Sequence, residues 1–560
     1  MNAQDSGFTR GVAGSFPGWR GGGSLGLFAI GLTVLLALPV VVVLLNVFVP
    51  THGTWGHLAA TVLPEYVANS LVLMLGVTAS VIAIGVATAW LTTMCRFPGR
   101  GLFEWALLLP MAVPGYVMAY AYTDFLQFAG PVQTWLRELM GWGPRDYWFP
   151  DVRSLGGAVA MLSLVLYPYV YLLARAAFLE QSDSMLEVAR ASGHGPGRTF
   201  VRVALPLARP GIAAGTALAL METLADFGTV SYFGVPTFTT GIYRAWFSLG
   251  DHVVAAQLSA TLLGFVFVVL LLERIGRGRA AFHGGGTRER LEQRYRLRGL
   301  KAGAAIAACV APLVLGFLLP AAILLHLAYT SGDAQFGARY VDLTLNTATL
   351  AVITAALAVL LGLLVGYGAR VNRSRIVGLA NRVAGLGYAV PGAVIAVGVL
   401  IPVTRLDHAL SAWSDALLGV PLGLVFTGSI TALVYAYLVR FFAVALQTVE
   451  AGMAKVTYSM DDAARSLGLS AGRTLARVHA PLLWRSSLTA ALLVFVDVTK
   501  ELPATLVMRP FNFDTLAVQA FNLASDERLA EASTAALTIV AVGLVPILVL
   551  SRMMLRPHAK

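Results

Sequence analysis

The sequence predicts an all-α polytopic membrane protein, with about twelve transmembrane helices in two tandem six-helix units. Three observations carry this. The 560 residues are 57% hydrophobic and only 12% charged, with a mean hydropathy of +0.74, which is too apolar for a soluble globular chain. Successive apolar runs are each long enough to cross roughly 30 Å of hydrocarbon. Finally, one stretch occurs twice: SMLEVARASGHGPGRTFVRVALP from Ser184 to Pro206, and SMDDAARSLGLSAGRTLARVHAP from Ser459 to Pro481. Glu187 aligns with Asp462, Gly193 with Gly468 and Pro206 with Pro481 at one constant offset, 462 minus 187, as a tandem duplication requires.

Taken in order, residues 1–23 are rich in Gly and Ser and read as a disordered cytoplasmic leader. Gly22-Gly23-Ser24-Leu25-Gly26 matches the G-x-S-x-G hydrolase pattern, but it opens an apolar run with no preceding strand, so it is assigned no nucleophile. The spans of the first unit, residues 24–272, lie near 24–50, 67–94, 102–128, 155–178, 210–232 and 253–272. The first is too long for a signal-peptide core and lacks a small-residue cleavage site, so it is expected to stay as a span. The second unit, 302–555, has spans near 302–329, 344–368, 383–403, 420–446, 485–508 and 534–555, followed by a 556–560 tail.

Pro110 and Pro114-Gly115 in the third span are matched by Pro391-Gly392 in its repeat mate, which predicts helices that bend around a central path. Asn69-Ser70 and Asn346-Thr347 recur near the ends of the second spans, as helix starts or interhelical hydrogen bonds. Tyr116, Tyr120, Tyr122, Phe125, Trp135, Trp142 and Trp148 read as an interfacial aromatic belt. The external loop from Ala129 to Ser154 is the longest on its side and a candidate seat for a partner. His52 and His57 read as exposed loop histidines in preference to a metal pair, and Cys95 and Cys309, at different depths, as free thiols.

Charge placement sets the orientation. With the N-terminus taken as cytoplasmic, that side collects Arg96, Arg100, both repeated loops, the 273–301 linker with its nine basic residues, Arg370, Arg373, Arg375 and Arg382. The split against the opposite side is roughly four to one, placing both termini and both repeated loops inside. The formal charge of +11 therefore reflects topology, and no nucleic-acid partner is expected. The linker is additionally suited to anionic lipid.

Within each repeated stretch, Ser184 with Glu187 and Ser459 with Asp462 read as capping boxes, and Gly193 and Gly468 as left-handed helix ends. A second short helix, Thr199 to Leu205 or Thr474 to Ala480, is expected to close at the following proline. The pattern from Glu187 through Ala189, Gly193, Val203 and Leu205 to Pro206 resembles the EAA loop of permease subunits of type I ABC importers. The copies depart from it in detail: Val188 replaces the middle alanine, Asp462 the glutamate and Ala480 the leucine.

The resemblance implies a fused permease of two type I units in a bacterial inner membrane. Two copies of a cytoplasmic ABC ATPase would each grip one loop, and an external solute-binding protein would deliver cargo. It assigns ATPase coupling to Glu187, Ala189, Gly193, Pro206, Asp462, Ala464, Gly468 and Pro481. The chain carries no Walker A sequence, so ATP is expected to be hydrolysed by the partner, with no cofactor bound here and no catalytic residues. The segments from Leu224 to Asp251 and from Lys500 to Pro510 resemble ferric-iron permeases. Relatives for thiamine, phosphonate, polyamine or sulfate share the architecture, and an ion-driven secondary carrier is the rival from another class.

Five charged residues fall inside the predicted spans. Glu222 and Asp226 lie one turn apart on the fifth, and Asp497 and Glu501 match them on its mate, with Lys500 beside Asp497. With span starts near Pro210 and Arg485, each pair is expected to share a helix face at mid-membrane. A charge there costs at least about 2.5 kcal/mol, so it must face a partner or a watery path. They are either an ion-paired clamp between the halves or the lining of the translocation path; no metal site is assigned.

Overall fold

The computed structural model describes residues 22–51, 53–180, 195–277, 295–331, 337–372 and 374–555. The expected leader, most of the linker, the C-terminal tail, His52 and the first-copy residues Glu187, Ala189 and Gly193 lie outside them. Among the described residues, eleven helices are long and apolar enough to cross a membrane, and the count reaches twelve if the pair Arg100–Ala112 and Gly115–Met140, bent by 90°, is one broken span and not a re-entrant loop. Helices dominate because in hydrocarbon each backbone N–H and C=O must be satisfied within its own segment. The exception is a two-residue parallel pairing of Cys95–Arg96 with Tyr295–Arg296, which ties the end of the linker to the first half.

Two buried cores carry the fold. In the first half Leu63–Met94 packs along Leu155–Glu180, and Leu205–Ala225 crosses both; in the second half Ala338–Val371, Ile430–Met453 and Ala480–Thr499 repeat that triangle. The halves exchange elements at their margins. The N-terminal helix Gly22–Leu45 packs on Ala338–Val371, Arg375–Ala384 and Gly392–Leu418, and Leu319–Ser331 and Leu529–Leu555 lie against the first half's core.

Several expectations are corrected. The short helices after the repeated glycines do not close at Pro206 and Pro481. Each runs on into its span through a π-helical turn, Phe200–Ala204 or Leu475–His479, giving spans Gly197–Ala225 and Ala471–Thr499 that begin well before Pro210 and Arg485. The wider turn lets the chain pass a proline that offers no N–H and crowds the carbonyl one turn back. Tyr116, Tyr120 and Tyr122 are not an interfacial belt; all three are buried, because the helix that starts at Gly115 dives into the core, where Tyr120 meets Tyr232 edge to face. Trp135, Trp142 and Trp148 are exposed. Asn69 and Asn346 do bond across elements, their Nδ2 atoms donating to the carbonyls of Pro236 at 2.9 Å and Asp514 at 3.0 Å.

Candidate functional site: a charged chamber at two broken helices

The candidate site is built by two helix breaks. Leu205–Ala225 stops at Asp226, whose backbone is extended, and the chain restarts as the short helix Gly228–Tyr232. Asp226 caps the restart: its carboxylate accepts from the N–H of Thr229 and of Val230, each at 3.1 Å, and from the Thr229 hydroxyl at 2.9 Å. The second half does the same. Ala480–Thr499 stops, Pro503–Met508 begins, and the Glu501 carboxylate accepts from the N–H of Ala504 and of Thr505, each at 3.0 Å, and from the Thr505 hydroxyl at 2.7 Å. The breaks recur at the offset of the repeated loops. The expected shared helix face is therefore overturned: in each pair the second carboxylate leaves the helix to hold the N–H groups that a new helix start exposes.

The Pro-Gly pairs now have a local reason. Pro114 and Pro391 are the N-cap residues of helices beginning at Gly115 and Gly392. A Cβ at Gly115 would lie 2.8 Å from the Thr229 hydroxyl, and one at Gly392 2.6 Å from Glu501 Oε1 and 2.7 Å from Arg440 Nη1. Only glycine leaves space for the capped break to pack there.

Between these breaks lies a chamber of about 120 Å³ lined by all five charges singled out in the sequence, Glu222, Asp226, Asp497, Lys500 and Glu501, with Arg440, Tyr116, Tyr169 and Tyr388. Arg440 was missed; its only sequence signal was a lone cation in the apolar run of the tenth span. Its guanidinium lies 3.3 Å from Glu501 Oε1 and 3.8 Å from Glu222 Oε2, and Lys500 Nζ lies 3.0 Å from Asp497 Oδ1. Both cations come from the second half: Val165 and Ala225 occupy their repeat positions and also line the chamber. Four carboxylates face two cations, a formal balance of −2. The Glu222 side chain is the most open of the ion-paired carboxylates, 24% exposed against 16% for Asp497 and 2% for Glu501.

Toward the repeated loops the chamber adjoins a larger, mainly apolar cavity of about 530 Å³, with which it shares Met111, Tyr169, Tyr388, Asp497 and Lys500. At the opposite end it is walled by Phe227, Gly228, Leu502 and Pro503, where a Cβ on Gly228 would lie 2.6 Å from Tyr116 and 2.9 Å from Leu502. Among the described residues no group of three His, Cys, Asp or Glu side chains could hold a metal ion. His57 is exposed, and both cysteines are free and buried.

The second repeated loop forms the helix Tyr458–Ser466. Gly468 has φ +78°, and the N–H groups of Gly468 and Leu469 donate to Arg465 O and Ala464 O, a Schellman closure. The expected Ser459–Asp462 capping box is not formed. Thr457 is the N-cap, Ser459 lies inside the first turn with its hydroxyl on that of Thr457, and Asp462 pairs with Arg465 at 3.6 Å. A missed neighbour, Asp461, is buried and accepts from Arg370 Nε at 2.8 Å and meets His479 Nε2 at 2.6 Å. The same guanidinium donates to the carbonyls of Met453 and Val456 and lies over the Tyr458 ring. This ties the loop to the end of Ala338–Val371. At the repeat positions of Asp461 and His479 the first half has Leu186 and Ala204.

Comparison with known proteins agrees with this architecture. Residues 81–279 match the family described as the binding-protein-dependent transport system inner membrane component. The molybdenum transport system permease protein ModB of Escherichia coli K12 is 33% identical over 210 residues, 35% of this chain and 87% of that protein. The Fe(3+)-transport system permease protein FbpB 2 of Haemophilus influenzae is 23% identical over 497 residues, 87% of this chain and 90% of its own length. The probable sulfate transport system permease protein cysT of Nephroselmis olivacea is 31% identical over 150 residues, 26% of this chain and 49% of its own. With two repeats of broken helices around one chamber and relatives matched over nearly their full length, the chain belongs to the family of binding-protein-dependent inner membrane transport components, as a multi-pass ABC importer permease in a fused two-repeat form.

Proposed function

We propose that this permease carries ferric iron, handed over as a small hard cation by an external binding protein and driven inward by ATP hydrolysis on two copies of a cytoplasmic ATPase. The observation that carries the substrate is the chamber's formal balance of −2. Molybdate, sulfate or phosphonate would enter against four carboxylates whose counter-cations are already ion-paired, whereas carboxylate and tyrosine oxygens are ligands a hard cation prefers. The volume is compatible with the same reading: about 120 Å³ leaves room for an ion that keeps several of its waters. The similarity to the Haemophilus protein across both repeats adds weight.

In this reading Glu222 and Asp497 offer weak, successive contacts to the passing ion, while Asp226 and Glu501 hold the hinges that shape the path, with Lys500 balancing Asp497. Glu187, Ala189, Gly193 and Pro206 in one loop, and Asp462, Ala464, Gly468 and Pro481 in the other, couple the ATPases to the spans. Both loops and both termini face the cytoplasm, so the larger cavity is the exit side. The test is uptake by the complex reconstituted with its ATPase and binding protein. Radioactive iron should enter with internal ATP, survive a protonophore, and fall at least about tenfold in Glu222→Gln while stimulated ATP hydrolysis persists. Uptake of molybdate or sulfate in place of iron, or unchanged iron uptake in Glu222→Gln, overturns the assignment.

A further inference from the structure

The chamber contains one ion pair that crosses between the halves, and its geometry is loose. Arg440 stands on Ile430–Met453 of the second half, and its side chain is only 8% exposed. Its guanidinium sits between Glu501 of its own half at 3.3 Å and Glu222 of the other at 3.8 Å. Charge-assisted contacts of this kind normally close to 2.7–2.9 Å. The buried Nε has no hydrogen-bond partner, so a cation deep in the membrane is held with its donors incompletely used. Gly392 provides the space: a Cβ there would lie against both Glu501 Oε1 and Arg440 Nη1. The first half has no equivalent, because Val165 occupies the repeat position and faces the same chamber.

Building on the cation reading above, we infer that Arg440 is a tethered stand-in for the cargo: it neutralises Glu222 and links the halves when the chamber is empty, and an arriving multivalent cation displaces it from Glu222 and releases that link. Magnitudes favour displacement only by multivalent ions. At equal distance a trivalent ion attracts a carboxylate about three times as strongly as a guanidinium does, while a monovalent ion gains nothing over the group already there. Arg440 thus sets a valence threshold, and it keeps Glu222 from becoming a trap that holds the ion after the halves part. Glu501 remains with the helix break it caps, so the mobile partnership is the longer one, to Glu222.

Terbium(III), a trivalent hard cation whose emission is sensitised by nearby tyrosine rings, serves as the probe, with permease in nanodiscs and no ATPase. Arg440→Gln should bind terbium at least about tenfold tighter than the native protein. Arg440→Lys, which keeps the charge, should stay near the native affinity, and the double variant Glu222→Gln with Arg440→Gln should lose the gain. With the ATPase and binding protein present, Arg440→Gln should hydrolyse ATP yet release iron slowly.

A second measurement leaves Arg440 in place. Spin labels at Leu218 and Leu493, one on each half beside the larger cavity, should move apart on adding terbium, not on adding potassium, and not in Glu222→Gln. Equal or weaker terbium binding by Arg440→Gln, or an unchanged label distance at saturating terbium, overturns the stand-in role. If either result comes with iron uptake that still depends on Glu222, the cation path survives without it; loss of that dependence removes the path itself.

Discussion

At the residue scale, four carboxylates that look alike in sequence divide into two kinds of work. Asp226 and Glu501 spend their oxygens on exposed N–H groups of restarting helices, while Glu222 faces the chamber with only the long contact to Arg440. Substitution should separate them. Asp226→Asn keeps one acceptor oxygen and loses the charge, which should cost about 0.5–2 kcal/mol, the usual worth of a helix cap. A thermal melt of the purified protein should fall by a few degrees. Glu222→Gln should melt close to the native temperature while iron uptake drops. If Asp226→Asn melts normally and only transport suffers, the cap is not what that carboxylate provides. Arg440 and Lys500 limit the cost of so many buried charges, since an ionised group at mid-membrane costs at least about 2.5 kcal/mol unless it has a partner or water.

At the element scale, the loop helix Tyr458–Ser466 is closed and anchored as one unit. Its C-terminus is closed by a left-handed glycine, and its buried Asp461 is gripped by Arg370, which also holds the carbonyls at the end of Ile430–Met453. The network thus joins the loop to two spans, and the continuous π-turned helix beyond it leads directly to the break at Lys500 and Glu501. Gly468→Val would force a β-branched residue into φ +78°, at about 1–2 kcal/mol. The expected outcome is a protein that inserts normally but loses iron uptake and stimulated ATP hydrolysis together; normal import would show that the loop is not a coupler. The second loop is seated on an Arg-Asp-His network, and at the start of the first unit's corresponding span Phe200 packs against Trp90 and Trp90 against Phe178.

At the scale of the whole molecule, the orientation we propose, with both termini and both repeated loops in the cytoplasm, rests on the arginine distribution. A cysteine at Ser470 should be shielded from an impermeant thiol reagent in intact cells, and one at Trp142, 40% exposed, should react. Cys95 and Cys309 are both buried and should contribute little background. Reaction at Ser470 from outside would reverse the orientation and with it the assignment of the larger cavity as the exit. The first half's loop from Gln127 to Arg153 reaches the second half through Arg153 and Glu527, 3.5 Å apart at the rim of a pocket of about 570 Å³. That loop thus spans both repeats on the face where a binding protein would sit.

Composition and repetition alone determined the class, the span count to within one, the duplication and the glycine that ends the second loop helix, because hydrocarbon thickness, backbone satisfaction and the steric demand of a left-handed residue act locally. They also picked out Glu222, Asp226, Asp497, Lys500 and Glu501, since a charge in an apolar run is conspicuous wherever the helix points. What each charge does was decided only in three dimensions. No local rule shows that Asp226 and Glu501 leave their helices, because a broken helix is stable only when another segment fills the break, here the Pro-Gly starts at Gly115 and Gly392. The same holds for Arg440 and for Arg370 with Asp461: their partners lie 61 and 91 residues away along the chain, and only folding brings such groups within reach. The tyrosines of Gly115–Leu126 make the point most sharply, since a membrane interface and a buried core both accept a ring with a hydroxyl, and tertiary packing chose the core.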